Sequence, residues 1–257
     1  MKNMLLEKYR DHKVSIGTLS HLRSTTAIES LGYVGLDYIM FDQEHCPADI
    51  SEIAHYLTAA TAAGLTSIVR VPNIERSALL HILDAGACGV IVPGVETVQQ
   101  VEELVRFAKF KPLGDRGYCM TRDGGWGFAE NYRDSITGYM AQANTDTLLI
   151  PQCETMGCLQ NIEAITAMDG VDGIMVGPYD LSIAMGIPGE FESPEFKAAL
   201  ERVLCACRAN HKLSMTFAGN SQKAKVFRDM GFDSILLGLD ILMLVESYRN
   251  LLGSMDE

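Results

Sequence analysis

A chain of 257 residues with 47% apolar residues can bury a sizeable core, and its composition lies far from that of disordered proteins. Its formal net charge of −12 argues against nucleic acid or an anionic membrane as the main partner, because both bind to basic patches. The charged N-terminus does not have the pattern of a signal peptide, and no apolar run is long enough to span a membrane. The seven cysteines lack zinc or disulfide spacing, so we expect reduced thiols in a cytoplasmic protein.

Short segments rich in Val, Ile and Leu alternate with longer amphipathic segments along the chain. Most of the short segments are apolar nearly throughout, which is typical of parallel strands covered on both sides. We predict strands at 14–20, 37–42, 66–72, 89–95, 147–153, 172–178, 213–219 and 233–239. We predict helices at 49–63, 75–86, 97–109, 131–143, 156–168, 195–210, 221–231 and 241–252. The alternation indicates an α/β fold, a (β/α)8 TIM barrel forming a single domain over residues 1–257, with a doubly wound sheet as the main alternative.

Residues at the helix boundaries support this division. Asp49 followed by Glu52 is a variant of the capping box, and Thr97 marks a second helix start. Glycines stand where three of the helices should stop, at Gly64, Gly86 and Gly231. The connection before the fifth strand is unusually long and includes residues 111–128, so we expect it to be functional or to form an interface.

Polar residues follow several predicted strands, at the ends that form the active face of a barrel. Strand two is followed by Asp42, Glu44 and His45, and strand three ends in Arg70. Different strands thus deliver a base candidate, a cation and carboxylates to one rim. The remaining residues of this rim follow strands five and six: Gln152, Glu154, Gly177, Tyr179 and Asp180.

Glu154 and Asp180 fit a hard divalent cation. Mg²⁺ and Mn²⁺ are usually held by one or two carboxylates, with waters and substrate oxygens in the other positions. The structural alternative is that Glu154 caps the helix starting near Met156 and that Asp180 caps a turn at Leu181. Their joint placement after adjacent strands favours a metal site.

Arg70 lies inside an apolar strand, IVRVP, and a buried arginine needs a partner. That partner is either a carboxylate of the barrel or a carboxylate or carbonyl oxygen of a substrate, which suits the fork geometry of the guanidinium. A substrate group is the favoured partner, because Arg70 lies just before a strand-ending proline.

His45 is the strongest candidate for a general base. Asp42 or Asp84 could orient it, although Asp84, near the end of a helix, is also typical of a solvated helix face. The other histidines have weaker contexts: His12, His21, His55, His81 and His211.

The lysines indicate which chemistry the barrel does not use. None of the nine lies inside a predicted strand, and Lys13 and Lys212 only precede one. A Schiff-base aldolase needs a lysine inside the barrel, so metal chemistry is favoured over imine chemistry. The glycine-rich run GDRGYCMTRDGGWGF lacks the patterns of phosphate-binding loops, and we expect no organic cofactor.

These residues belong to an ordered set of motifs: FDQEHCPAD, IVRVP, DAGACGVIVPGVET, GDRGY with TRDGGWG, IPQCET and GIMVGPYDLSIAMGIPG. The set spans about residues 14–240. It resembles the HpcH/HpaI aldolase family, the metal-dependent class II pyruvate aldolases of the 2-dehydro-3-deoxyglucarate and 4-hydroxy-2-oxoheptanedioate type. Any one motif alone would be weak, whereas the ordered set is specific.

The resemblance implies a barrel of the phosphoenolpyruvate/pyruvate type, with the last helix exchanged between subunits and dimers assembled into hexamers. It implies a divalent metal, Mg²⁺, Mn²⁺ or Co²⁺, at Glu154 and Asp180. The implied activity is retro-aldol cleavage of a 4-hydroxy-2-oxo acid into pyruvate and an aldehyde. The implied roles are acid–base chemistry by His45 with Asp42 or Asp84, binding of the pyruvyl group by Arg70 and Gln152, and binding of its carboxylate by the backbone around Gly177 and Tyr179.

The chain departs from the family pattern at Cys46, Lys111 and Asp123, and Tyr179 occupies a position that varies with substrate. The metal and arginine positions are intact, so these changes concern the aldehyde partner. Two other functions fit the same residues. One is a related metal–enolate reaction, such as citrate-forming condensation on oxaloacetate or a decarboxylating or phosphoenolpyruvate-type activity. The other is non-catalytic binding of 2-oxo acids.

Overall fold

The computed structural model describes residues 3–130 and 135–255. Eight parallel strands follow one another around a barrel, and β8 pairs with β1 to close it. They are β1 (Ser15–Ser20), β2 (Tyr38–Asp42), β3 (Thr66–Arg70), β4 (Gly89–Val92), β5 (Leu148–Cys153), β6 (Gly173–Val176), β7 (Leu213–Ala218) and β8 (Ser234–Leu239). All eight predicted strands and the TIM barrel are confirmed, and closure excludes the doubly wound sheet.

Helices surround the barrel, and most of them cover its outer face, whereas the first places Leu5 among the residues that fill the interior. They are α1 (Met4–Arg10), α2 (Thr25–Leu31), α3 (Ile50–Ala62), α4 (Arg76–Asp84), α5 (Val98–Ala108), α6 (Ile136–Asp146), α7 (Met156–Gln160), α8 (Ile162–Thr166), α9 (Pro178–Ala184), α10 (Pro194–Ala209), α11 (Ser221–Met230) and α12 (Asp240–Gly253). The sequence pattern does not predict α1, α2 and α9, because seven residues make only about two turns of periodicity. The predicted helix 156–168 is divided at Asn161 into α7 and α8, and the first four residues of the predicted helix 131–143 lie outside the described residues.

The expected boundary signals are present. Asp49 and Glu52 form a reciprocal capping box at α3, and Thr97 forms one with Gln100 at α5. At the other helix ends, Gly64, Gly86 and Gly231 have φ angles of 73°, 91° and 96°, in the left-handed region that favours glycine.

The core has two layers because successive side chains of a strand point to opposite faces. Inward residues of β2 and β3, such as Tyr38, Met40 and Ile68, fill the barrel together with Leu5 from α1. Outward residues such as Phe41 pack against the helices. Because of the same alternation, the last inward-facing residue of a strand points towards the mouth of the barrel. The residue two positions later, just beyond the strand, does so as well. No helix of the described residues is long and apolar enough to cross a membrane.

Candidate active site

Strand alternation gathers most of the predicted site residues at the carboxyl ends of the strands. Asp42 follows Tyr38 and Met40 in phase, and Arg70 follows Ile68. On β5, Gln152 follows Ile150 in phase and Glu154 comes next. A cavity of about 170 Å³ lies at this mouth. Its polar and backbone lining comes from predicted site residues, namely His45, Arg70, Gln152, Gly177, Tyr179 and Asp180.

Arg70 is fixed by two carboxylates. Its Nε and Nη2 donate to the two carboxylate oxygens of Asp42, at 2.9 and 2.7 Å, and its Nη1 lies 3.1 Å from Glu44 Oε2. The Glu44 contact is an ion pair without hydrogen-bond geometry. Burial opposes ionisation of Asp42, yet the hydrogen bonds and charge of Arg70 outweigh it and lower the pKa of Asp42. The barrel therefore supplies a partner for Arg70, and the guanidinium still lines the cavity.

Sequence reasoning missed His21. Its Nε2 lies 2.9 Å from Asp42 Oδ2, while its backbone N–H donates to Asp240 Oδ1 at 2.8 Å. The described contacts of Asp42 are with His21, Arg70 and the Glu44 amide, so the expected pairing of Asp42 with His45 is not found. His21 directly follows the end of β1, and the rule that assigned the other rim residues would have found it.

His45 lies at the open side of the cavity. Its side chain is 59% exposed, and its Nε2 is 3.6 Å from Glu44 Oε2. Burial raises the pKa of Glu44, with the charge of Arg70 acting in the opposite direction. Glu44, whose role the sequence left open, thus stands between the Arg70 guanidinium and the His45 imidazole.

Glu154 is buried and held by its neighbours. Its Oε1 accepts a hydrogen bond of 2.7 Å from the Gly94 amide, and its Oε2 accepts one from Gln152 Nε2. A Cβ on Gly177 would lie 3.0 Å from Gln152 Nε2 and 3.1 Å from Glu154 Oε2, so glycine leaves room for both. Burial raises the pKa of Glu154, the hydrogen bonds oppose it, and the charge of Asp180 raises it further.

Neither carboxylate caps a helix. Thr155 is the N-cap of α7 and accepts from the Cys158 amide, whereas Gly177 precedes α9 without a side-chain cap. Asp180 is exposed and has no hydrogen-bond or ion-pair partner within residues 3–130 and 135–255. In the described structure, Glu154 therefore does not cap the helix at Met156, and Asp180 does not cap the turn at Leu181.

The donors at this rim suit a hard divalent ion. Besides the two carboxylates, the buried Oε1 of Gln152 has no hydrogen-bond partner in the described structure. No group of three His, Cys, Asp or Glu side chains that could hold a metal occurs in the described part of the chain. Two carboxylates with waters and substrate oxygens are a normal set for Mg²⁺ and too few for structural zinc.

Asp84 is not brought to this site within one chain. It ends α4, the helix that leads into β4, and so lies at the amino ends of the strands. There Arg116 Nη2 donates to Asp84 at 2.8 Å and to Asp123 at 2.7 Å. Asp123 also accepts from the Tyr139 hydroxyl at 2.6 Å, which fastens the long 111–128 connection to α4 and α6.

A model of the HpcH/HpaI aldolase/citrate lyase family matches residues 16–247 of the chain. The chain belongs to this family. The resemblance to this family that the sequence motifs indicated is thus confirmed. Membership of the family supports an aldolase or lyase activity.

Relatives in this HpcH/HpaI family match nearly the whole chain. A 5-keto-4-deoxy-D-glucarate aldolase of Klebsiella pneumoniae is 31% identical over 230 residues, which cover 90% of this chain and 88% of that protein. The crystal structure of a family protein from Burkholderia cenocepacia is 31% identical with a TM-score of 0.90, and each chain covers 100% of the other. The citrate synthase SbnG, at 23% identity and a TM-score of 0.85 over 97% of this chain and 96% of its own, shows likeness of fold alone.

Proposed function

We propose that this chain is a divalent-metal-dependent pyruvate aldolase that cleaves a 4-hydroxy-2-oxo acid into pyruvate and an aldehyde. The observation that carries the proposal is the arrangement at the barrel mouth. Arg70 is preset by Asp42, and the same rim holds Glu154 and Asp180, which has no partner among the described residues. No lysine of the described residues lines the cavity, which supports metal over imine chemistry.

Glu154 and Asp180 would hold the metal, and the Oε1 of Gln152, which has no partner in the described structure, would be a further oxygen donor. A divalent ion bound there supplies Lewis-acid polarisation of the 2-oxo group. Glu154 is held at both oxygens before any ligand binds, so the carboxylate does not have to be reoriented.

Arg70 stabilises the charge that develops when the C3–C4 bond breaks. Negative charge grows on the 2-oxo oxygen as the enolate forms, and a preset guanidinium stabilises it without reorganisation. The pyruvyl carboxylate would bind backbone amides at the start of α9. Because the Gly177 N–H already donates to Cys153 O at 3.2 Å and Pro178 has no N–H, this role falls to the N–H groups of Tyr179 and Asp180 in the first turn of α9.

His45 would move the protons. Its exposed imidazole lines the same cavity as the groups assigned to pyruvate, and the C4 hydroxyl of the substrate would lie within its reach. As base it takes the hydroxyl proton, the C4 carbonyl forms, and the C3–C4 electron pair becomes the enolate. The conjugate acid then protonates the enolate carbon, which gives pyruvate. In this scheme Asp42 acts on Arg70 rather than on His45.

Two further proposals concern other copies of the chain. The helix α12 leaves seven apolar side chains 40–63% exposed and buries Asp240 alone among its residues, which supports a homo-oligomer with an exchanged C-terminal helix. Asp84 lies at the amino ends of the strands, so its expected catalytic role requires that it reach the site of another copy.

The test is exchange of the pyruvate methyl protons in D₂O, followed by NMR with Mg²⁺ or Mn²⁺ and with a chelator. We expect metal-dependent exchange that Arg70→Lys lowers at least about a hundredfold, since lysine lacks the planar fork. A folded protein that binds pyruvate without exchange would contradict the proposal and favour a binding role. Product analysis with oxaloacetate and acceptors separates cleavage from citrate-forming condensation.

A further inference from the structure

Once the pyruvyl group and the metal occupy the polar side of the 170 Å³ cavity, an apolar wall remains for the aldehyde half of the substrate. That wall is made of side chains from β1, β2, β6, β7 and the start of α9: Leu19, Met40, Met175, Pro178, Tyr179 and Phe217. The other polar groups of the lining are assigned to the pyruvyl group or the metal. His45 therefore remains to face the aldehyde half of the substrate, and it is assigned to proton transfer.

The wall continues into an aromatic cluster. The ring of Tyr179 meets that of Phe191 edge-on, with centroids 5.1 Å apart and an interplanar angle of 85°. Its centroid is 6.4 Å from that of Phe217. Beyond these rings lies a second, smaller cavity of about 40 Å³, which shares Pro178, Tyr179 and Phe217 with the first. Tyr179 is 55% exposed, so its ring can move without unpacking the core.

Charge argues against an anionic aldehyde. Within the described residues, the arginine and lysine side chains that line the two cavities are Arg70 and Lys223. Arg70 is paired with Asp42 and Glu44. The Lys223 ammonium lies 2.6 Å from Glu192 and 5.7 Å from the centroid of Phe191. A carboxylate placed against this wall would lose its water and gain no unpaired arginine or lysine from the described residues of this chain.

Resting on the proposed function, we propose that the aldehyde half carries an uncharged aromatic group, which packs against Tyr179 and Phe217 and extends towards Phe191. Aromatic rings prefer such edge-to-face and offset contacts. In the synthetic direction, pyruvate loses a methyl proton, its C3 bonds to the aldehyde carbon, and the resulting alkoxide takes up a proton. Atoms balance without any oxidant or reductant.

The experiment compares kcat/KM for metal-dependent addition of pyruvate to benzaldehyde, succinic semialdehyde and glyceraldehyde, with the full-length wild-type protein. We expect benzaldehyde to be favoured at least about tenfold over both, a ratio typical of apolar pockets. Phe217→Ala and Phe191→Leu should each reduce this preference. Tyr33→Ala, which removes an exposed ring between α2 and β2, is the matched control.

Exchange of the pyruvate methyl protons is measured in the same samples. Normal exchange with equal rates for the three aldehydes, or with preference for succinic semialdehyde or glyceraldehyde, overturns the aromatic subsite and leaves the proposed function standing. A preference for benzaldehyde that survives both cavity variants also overturns the assigned site. Absence of exchange overturns both proposals together.

Discussion

Oδ2 of Asp42 lies 2.7 Å from Nη2 of Arg70, and the register of β2 and β3 places the two residues directly opposite each other. The same oxygen lies 2.9 Å from His21 Nε2. Because a parallel ladder fixes this neighbour relationship, the guanidinium is oriented by the strands themselves before any substrate arrives. A carboxylate held on two sides is a positioning group for Arg70.

The first prediction concerns this pair. Asp42→Asn removes one of the two carboxylate charges beside the buried Arg70 and leaves the other, Glu44, 3.1 Å away, so the free energy of unfolding should fall by about 3 kcal/mol, at the low end of the cost of breaking a buried pair. Metal-dependent exchange should fall by at least about a hundredfold, since Arg70 loses its orientation. His21→Asn is the control, because it leaves both Arg70 hydrogen bonds to Asp42 in place and should have a smaller effect on both quantities. Equal losses in the two variants would show that the Asp42–Arg70 pair is not the decisive contact.

The second prediction separates metal affinity from stability. Asp180 is exposed and unpartnered in the described structure, so Asp180→Asn should change the free energy of unfolding of the metal-free protein by less than about 0.5 kcal/mol. Its affinity for Mn²⁺, measured by calorimetry, should fall at least about tenfold. Glu102→Gln removes an exposed carboxylate from α5 and is the matched control. Unchanged Mn²⁺ affinity in Asp180→Asn would remove this residue from the metal site.

The third prediction follows from Glu154. Burial raises its pKa in the folded protein above the ordinary value of 4.5. A carboxyl group of this kind contributes stability that is fully present below pH 4.5 and is lost as pH rises through the folded pKa. The glutamine of Glu154→Gln cannot ionise. In the presence of a chelator, the stability of this variant relative to the wild type should therefore increase as the pH rises from 4.5 to neutral.

Denaturant unfolding at a series of pH values measures this difference. Saturating Mn²⁺ should reverse its sign at neutral pH, because only the wild type gains stability from binding. A difference that stays constant with pH would mean that Glu154 titrates alike in the folded and unfolded chain.

Strand periodicity is sufficient to predict the barrel and to place Arg70, Gln152 and Glu154 at its mouth. This is because side chains alternate along each strand and the closed sheet fixes which side faces inward. Pairings across strands needed coordinates. The sequence offers Asp42 or Asp84 as the group that orients His45, whereas the side-chain partners of Asp42 are Arg70 and His21, 28 and 21 residues away. The helix α9 was not predicted, although a local signal marks its start. Pro178 occupies its first turn, a position that proline favours.

The last prediction concerns α12 and the proposed oligomer. Seven of its apolar side chains are 40–63% exposed, among them Leu251 at 62%. Contiguous apolar surface of this kind usually marks an interface, and a charge buried there without a partner is destabilising. Leu251→Asp should therefore lower the molar mass in solution, measured by light scattering after size exclusion, while circular dichroism stays native. Glu246→Lys, which changes an exposed charge on the same helix, should leave the mass unchanged. A wild-type protein with the mass of one chain would contradict the oligomer, and with it the expectation that Asp84 acts on a neighbouring site.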